Sequence, residues 1–327
     1  MMTRDIKWGI VGLGNIAHQF CEDLSLVEQA TIYAVASRSK EKSEAFAKKY
    51  GAIKNYDSYD ALFKDPDVDI VYIATPHDSH AELSIAAMNH GKHVLCEKPL
   101  AVNAAQVKSM IEASKANKVY LMEAFWTRFN PSIVEIKEKI AQGVIGDIVH
   151  IKADFSFPQN LEDEHGRNLN MALAGGALLD MGPYPVFLAY LLLGIPNDIK
   201  ASAQFHETGA DIQTSAIFNY DHAQAMLYTG FCHESDMIAR IYGTKGEIHI
   251  DRIWHEAQGY SIIKEGEKVD FSKPTIGKGF AHEIISCQDH LMSNARENKL
   301  WALSDSLNVI GLLDKIRTSI GLKYPFE

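Results

Sequence analysis

The sequence predicts an α/β protein in two parts. A doubly wound parallel sheet is expected over residues 1–123, then an α+β part with an open, mainly antiparallel sheet over residues 124–327. Three observations carry that prediction. Strand-like and helix-like patterns alternate through the first 123 residues, as a parallel sheet with crossover helices requires. Gly12-x-Gly14-x-x-Ala17 joins the first apolar strand pattern to the first helical one. Beyond Pro131 the rhythm gives way to short alternating segments broken by turn residues.

In chain order, residues 6–11 form an apolar run suited to a buried strand, and residues 16–24 a helix behind the glycine turn. Residues 30–36, rich in β-branched and aromatic side chains, give the second strand, with a helix at 40–50 after it. Strands at 68–74, 93–96 and 119–123 follow, with helices at 79–89 and 103–117 between them. The second part opens with a helix at 132–142 and a long strand at 148–157. A polar loop and an apolar helix after Gly182 come next, then strands at 199–205, 212–220, 223–231 and 238–242. Tyr220-Asp221-His222 and Gly243-Thr244-Lys245-Gly246 read as hairpin turns. Helical patterns at 280–298 and 305–321 close the chain and are expected to pack back toward the first part.

Bulk properties narrow the function. The 46% hydrophobic and 23% charged composition is that of an ordinary globular protein. A formal charge of −10 argues against nucleic acid or an anionic membrane as partner. The longest apolar run, residues 186–195, is too short to span a bilayer, and the first strand starts too early for a signal peptide. Cys21, Cys96, Cys232 and Cys287 are scattered without a CxxC pair, as reduced thiols of a cytoplasmic protein are.

The glycine turn is a dinucleotide-binding signal because it follows a strand and opens a helix. Gly12 permits the tight turn, Gly14 admits a pyrophosphate to the backbone, and Ala17 lets helix and strand pack closely. The phosphates would sit on the free amides near Asn15 and Ile16, at the positive end of the helix dipole. An acidic residue about 20 positions past the motif normally holds the ribose 2′-hydroxyl of NAD. Here Ser37 and Arg38 occupy that window, and a guanidinium can pair with a 2′-phosphate, so NADP is favoured over NAD.

Loops at the carboxyl ends of such strands form the ligand crevice, which places Thr75-Pro76, Glu97-Lys98-Pro99 and Glu123 at its mouth. Lys98 follows a buried-strand pattern and precedes a proline, so its backbone is extended, and a cis Lys98–Pro99 bond would aim the ammonium inward. Desolvation there would lower its pKa toward the range of a proton shuttle. Asp180 and Tyr184, four residues apart, share a face if they lie on one helix and make an acid/base pair for a hydroxyl or carbonyl. Asp180 capping a helix that begins near Gly182, with Tyr184 in the core, is the structural alternative. No spacing of His, Cys, Asp and Glu suggests a metal: Phe280-Ala281-His282-Glu283 lacks a second histidine at the zinc-helix position.

These blocks, with Ala74-Thr75-Pro76 and His80, Gly91 through Pro99, Gly176-Ala177-Leu178-Leu179-Asp180-x-Gly182-x-Tyr184 and Met122 through Phe129, resemble the glucose–fructose oxidoreductase/inositol dehydrogenase (Gfo/Idh/MocA) family. The last block resembles its branch of dimeric dihydrodiol and NADP-dependent D-xylose dehydrogenases. The resemblance implies hydride transfer between a nicotinamide and a carbon bearing a hydroxyl or carbonyl on a sugar, polyol or cyclic dihydrodiol. It implies Lys98 and Tyr184 as proton-transfer residues, with Asp180 orienting them. It adds Thr75, Pro76, His80, Glu97, Trp126 and Arg128 to the cofactor site, and lines the substrate side with Trp126, Phe155, Tyr184 and Phe280. It also implies a homodimer formed through the C-terminal sheet. Ala174 stands where many relatives carry a third glycine. Two other readings stay open: a glycoside hydrolase that retains NAD, and a non-catalytic dinucleotide sensor.

Overall fold

The computed structural model describes residues 4–327 and divides the chain into two units. One holds the chain through Phe129 together with Ile276–Leu307, and the other holds Asn130–Thr275 and Asn308–Glu327. The first unit contains β1 (Ile6–Val11), α1 (Asn15–Leu24), β2 (Ala30–Ala36), α2 (Lys40–Tyr50), β3 (Lys54–Tyr56), α3 (Tyr59–Phe63), β4 (Ile70–Ile73), α4 (His80–Asn89), β5 (His93–Glu97), α5 (Ala104–Asn117) and β6 (Leu121–Ala124). The second contains α6 (Pro131–Ala141), β7 (Ile148–Ser156), α7 (Ala177–Asp180), α8 (Pro183–Leu193), β8 (Asp198–Phe205), β9 (Asp211–Asn219), β10 (Gln224–Gly230), β11 (Ala239–Gly243), β12 (Gly246–Ile250), β13 (Gly259–Lys264) and β14 (Glu267–Ser272). The helix α9 (Phe280–Met292) belongs to the first unit, and α10 (Leu303–Ile320) runs across the division.

In the first unit six parallel strands stand in the order β3-β2-β1-β4-β5-β6. β1 is central: Val11 pairs with Ala36 on one side and with Ile73 on the other. The chain reverses its direction of travel across the sheet between β1 and β4, and ligands of doubly wound sheets bind at the carboxyl ends there. β3 and α3 are additions to the sequence reading. A three-residue strand shows no period, and only its pairing with β2, Ala34 to Lys54 through Ala36 to Tyr56, defines it.

The helix α9 is fixed to this sheet by polar as well as apolar contacts. Phe20 on α1 stacks on Tyr72 of β4 with ring centroids 3.6 Å apart and meets Phe280 edge-on. The Trp8 indole donates to Gln288 Oε1 at 3.1 Å. Asp23, buried on α1, accepts from the amides of Lys278 (2.9 and 3.0 Å) and Ala281 (3.1 Å), which open α9. A carboxylate at a helix N-terminus satisfies amides that the helix itself cannot.

The second unit is built on an eight-stranded sheet in the order β14-β13-β12-β11-β7-β10-β9-β8, antiparallel except for the β7–β10 pair. Ile151 and Ala225 face inward on the strands that contact α8, and Ile241 and Ile248, their partners across the register, are buried on the same face. Their strand neighbours Lys152, Met226, Arg240 and His249 pair with one another across β7, β10, β11 and β12 and so share the opposite, open face. The β13–β14 hairpin has no alternating apolar pattern, because β14 is exposed almost throughout. Its turn, Glu265-Gly266, has two positive φ angles (53° and 83°), as the tight primed hairpin turns need. The helical pattern at 280–298 is cut short at Met292, beyond which Asn294 adopts a left-handed backbone (φ 54°) that asparagine tolerates. Among the described residues no single helix is long and apolar enough to cross a membrane.

The Asp23 contacts predict a stability effect. Asp23→Ala leaves the amides of Lys278 and Ala281 without their acceptor, and hydrogen bonds to charged groups contribute about 1.5–3 kcal/mol. Urea unfolding should show a loss of about 2 kcal/mol or more; an unchanged midpoint would mean that α9 is held by its apolar face alone.

Candidate active site

At the carboxyl end of β1 the backbone turns through Gly12 at φ 87°, a left-handed conformation open to glycine. A Cβ on Gly12 would lie 2.7 Å from the Ala74 carbonyl carbon and oxygen, so the loop after β4 presses directly on the turn. Gly14 is different. It caps α1 without a side-chain hydrogen bond, and a Cβ there would meet no atom of the protein within 4 Å. Packing does not require that glycine, whereas close approach by a ligand does. The first turn of α1, with Asn15 and Ile16, carries no acidic residue, so nothing opposes an anion on its amides.

The neighbouring loops complete this half. Ser37 is buried at the end of β2, Arg38 is exposed, and Ser39 caps α2 by accepting from Lys42 N at 3.2 Å. Burial pushes the Asp78 carboxyl up, and the Arg38 charge works against it, so the loops after β2 and β4 are electrostatic neighbours. Ser79 Oγ donates to Thr75 Oγ1 at 2.8 Å and to the Pro76 carbonyl at 2.9 Å.

Lys98 leaves the carboxyl end of β5 half-buried, and the Lys98–Pro99 bond is cis. Three buried side chains hold this turn. Glu97 Oε2 accepts from Lys98 N at 3.1 Å while its Oε1 accepts from the Tyr72 hydroxyl at 2.5 Å. His80 Nδ1 lies 2.9 Å from the Pro99 carbonyl, and its Nε2 lies 2.8 Å from that of Thr75. Glu123 Oε1 accepts from Leu100 N at 2.9 Å. Glu97 and His80, both expected among the cofactor contacts, are buried and hydrogen-bonded to the loop backbone. Burial pushes the carboxyls of Glu97 and Glu123 above the usual range.

Trp126 stacks on Phe280, centroids 4.8 Å apart and planes 15° apart, which joins the segment after β6 to the start of α9. Arg128 donates from Nε to the Leu300 carbonyl at 2.9 Å. Its Nη1 is buried with no hydrogen-bond partner among the described residues, and burial pulls the guanidinium below its ordinary pKa. An orphaned cationic donor of this kind suits an anionic or hydroxylated ligand. The open Cβ position of Gly14 and this donor both fit a bound dinucleotide.

On the second unit, Asp180 and Tyr184 do not share one helix, contrary to the spacing argument. Asp180 ends α7 and Tyr184 lies in the first turn of α8, with the helical stretch Met171–Asp180 bent by 50° from α8 at the break. Pro183 is the reason, since it has no amide to continue the first helix and suits the first position of the second. Asp180 is paired with Arg167, whose Nη2 lies 3.1 and 3.2 Å from the two carboxylate oxygens. Tyr184 sits in an aromatic cluster with Phe155 (5.1 Å) and His255 (5.0 Å), and the rings of Phe155 and His255 stack at 4.2 Å. Arg167 and His255 had no sequence signal, being single residues in irregular segments.

The turn into α7 has its own support. Gly176 stands at φ 131°, and a Cβ there would collide with the Asp211 carboxylate. Asp211 Oδ2 accepts from Leu178 N at 2.9 Å and from Thr214 Oγ1 at 2.8 Å, and burial pushes its pKa up to about 6. Ala174, in place of a third glycine, adopts a left-handed backbone at φ 58° without closing this turn.

Comparison with known proteins gives a consistent family. A family profile described as "Oxidoreductase family, NAD-binding Rossmann fold" matches residues 6–125, and one described as "GFO/IDH/MocA C-terminal domain" matches residues 133–249. The chain is 34% identical to trans-1,2-dihydrobenzene-1,2-diol dehydrogenase of Mus musculus, over 98% of each chain. It is also 34% identical to D-xylose 1-dehydrogenase (NADP(+)) of Hypocrea jecorina, over 98% of this chain and 93% of that one. A solved 3-ketoreductase from Actinomadura kijaniata, in complex with NADP and TDP-benzene, matches with a TM-score of 0.87 at 26% identity, over 97% of this chain and 98% of that one.

The two glycines predict separable effects. Gly12→Ala should cost stability of about 1–2 kcal/mol or more, from the left-handed backbone and the collision with Ala74. Gly14→Ala should melt within about 1 kcal/mol of the parent yet bind NADPH more weakly. Equal stability losses in thermal melts would show that Gly14 is a packing glycine.

Proposed function

Because the chain belongs to the GFO/IDH/MocA family of oxidoreductases, we propose that it is an NADP-preferring dehydrogenase. It moves a hydride between the nicotinamide and a hydroxyl-bearing carbon of a sugar, polyol or cyclic dihydrodiol. One observation carries most of the support: the Gly12–Gly14 turn and Lys98 lie at the carboxyl ends of β1 and β5 in the same parallel sheet. The mouse relative is named for a cyclic diol and the fungal one for an aldose with NADP, which supports the substrate class and the cofactor.

NADP, when bound, supplies the hydride acceptor for oxidation and the donor for reduction. The amides at the start of α1, near Asn15 and Ile16, would hold its pyrophosphate, and Gly14 leaves the approach clear. Ser37 and Arg38 would read the 2′-phosphate, with Thr75, Pro76, Trp126 and Arg128 as further contacts. Oxidation of a carbinol also frees the hydroxyl proton, and Lys98 and Tyr184 are the groups assigned to its transfer. Asp180, fixed by Arg167, orients that chemistry on its own unit. Phe155, Tyr184 and His255 offer an aromatic wall suited to the face of a ring-shaped substrate, as does the Trp126–Phe280 stack. The proposal extends to a cytoplasmic homodimer that pairs the open sheet faces bearing Lys152, Met226, Arg240 and His249.

Two variants test the proposal. Arg38→Ala should weaken NADPH about tenfold or more, a loss near 1.4 kcal/mol, and NADH about twofold or less, by nucleotide fluorescence titration. Equal losses would remove Arg38 from phosphate recognition. Lys98→Met should keep NADPH affinity while kcat falls by about 100-fold or more; undiminished turnover would remove Lys98 from the reaction.

A further inference from the structure

We propose that Glu123 is a positioning residue for Lys98, acting by clamping the peptide group of Leu100 to the indole of Trp301. The inference rests on the assignment of proton transfer to Lys98. Glu123 lies in β6, next to β5 in the sheet, where its neighbour across the register is Cys96. Its side chain reaches the turn that follows β5. Oε1 accepts from Leu100 N at 2.9 Å, and Oε2 accepts from Trp301 Nε1 at 3.0 Å. The carboxyl is enclosed.

The chemistry of these partners favours a carboxylate at this position. Two N–H groups point at opposite oxygens, and each needs an acceptor. A glutamine places its own NH2 against one of them, so it can satisfy only one donor at a time. An apolar residue leaves both buried donors unsatisfied. The same turn is held at Lys98 N by Glu97 and at the Pro99 carbonyl by His80. The two peptide groups that flank the Lys98–Pro99 bond, Glu97–Lys98 and Pro99–Leu100, are thus fixed by three side chains, and the Cα of Lys98 is located by that backbone. Glu123 connects the turn to residues 300–306, because its second oxygen is held by Trp301. Trp301 is buried against Phe125, with ring centroids 5.3 Å apart, so it is an anchored donor. A shift of the turn by a fraction of an ångström moves the ammonium relative to its reaction partner, and proton transfer falls steeply with such misplacement.

The other charged groups near Glu123 do not replace it. Glu97 is engaged with Tyr72 and Lys98 N, and Glu283, fully buried on α9, makes no hydrogen bond to either donor through its carboxyl oxygens among the described residues. Glu123 also carries no contact expected of a cofactor or substrate group. Its effect therefore belongs in the rate of the chemical step and not in ligand affinity.

The experiment measures kcat, KM and NADPH affinity for the full-length wild type, Glu123→Gln, Trp301→Phe, Lys98→Met and the Lys98→Met/Glu123→Gln double variant. Oxidation of D-xylose and of trans-1,2-dihydrobenzene-1,2-diol by NADP+ is followed as NADPH formation, with active sites counted by NADPH titration. Glu123→Gln is expected to lower kcat at least tenfold, with KM and NADPH affinity within about threefold of wild type. Trp301→Phe, which keeps the ring and removes only the donor, should lower kcat in the same way by a smaller factor. In the Lys98→Met background Glu123→Gln should add no further loss, because both act through one group. If Glu123→Gln does not fold, Trp301→Phe and the rest of the series carry the test. A kcat within twofold of wild type in every folded variant overturns the inference, as does a parallel loss of kcat and NADPH affinity. A Glu123→Gln loss that persists undiminished on Lys98→Met also overturns it. Wild-type turnover in Lys98→Met removes Lys98 from the reaction and overturns this inference while leaving the dehydrogenase reading standing. Where the wild type turns over neither substrate, the series is run on a member of the aldose and dihydrodiol panel that it does turn over, and absence of turnover across that panel overturns both.

Discussion

The turn after β5 belongs to neither a strand nor a helix, yet it is buried, and that constraint organises the N-terminal unit. Buried peptide groups need partners, and here the sheet does not provide them. Glu97, His80 and Glu123 do so, from the strand itself, from α4 and from β6. Each of these side chains is held in turn by Tyr72, by the Thr75 carbonyl or by Trp301. Burying two carboxyls is unfavourable by itself, which is why their pKa values rise, and the donors offset it only when the whole network is in place. A network of this kind tolerates little rearrangement. It gives a long, flexible lysine side chain a rigid point of departure.

The late segment Ile276–Leu307 is part of the same solution. Phe280 stacks on Trp126, the Leu300 carbonyl takes the Arg128 Nε–H, and Trp301 supports Glu123. Every one of these contacts falls on the stretch from Glu123 to Arg128. The stretch from the end of β6 to α6 is therefore ordered by chain that arrives 154 to 178 positions later. The second unit uses a similar device on a smaller scale: Asp211 caps α7, Gly176 leaves room for its carboxylate, and Pro183 separates the helix of Asp180 from that of Tyr184.

Much of this was legible in the sequence where a local rule applies. The parallel sheet followed from apolar runs spaced by helix patterns, and the glycine turn from its position between strand and helix. Lys98 stood out because a strand ends and a proline begins at that point, and the cis bond considered there is present. Sequence reading failed where long-range contacts decide. The three residues of β3 and the exposed β14 become strands only by pairing. Asp180 and Tyr184 satisfied a helical spacing that Pro183 breaks. Arg167 and His255 lie outside any motif, and only folding brings them to Asp180 and Tyr184.

The central claim is an NADP-linked dehydrogenase of ring-forming hydroxylated substrates, and one assay meets it most directly. Purified protein would be mixed with a panel of aldoses and cyclic dihydrodiols, and reduced nucleotide followed at saturating NADP+ and, separately, NAD+. The account predicts repeated turnover of at least one member, with kcat/KM for NADP+ at least tenfold above that for NAD+. Absence of turnover across the panel, a preference for NAD+, or glycoside cleavage with NAD carried through purification would contradict it.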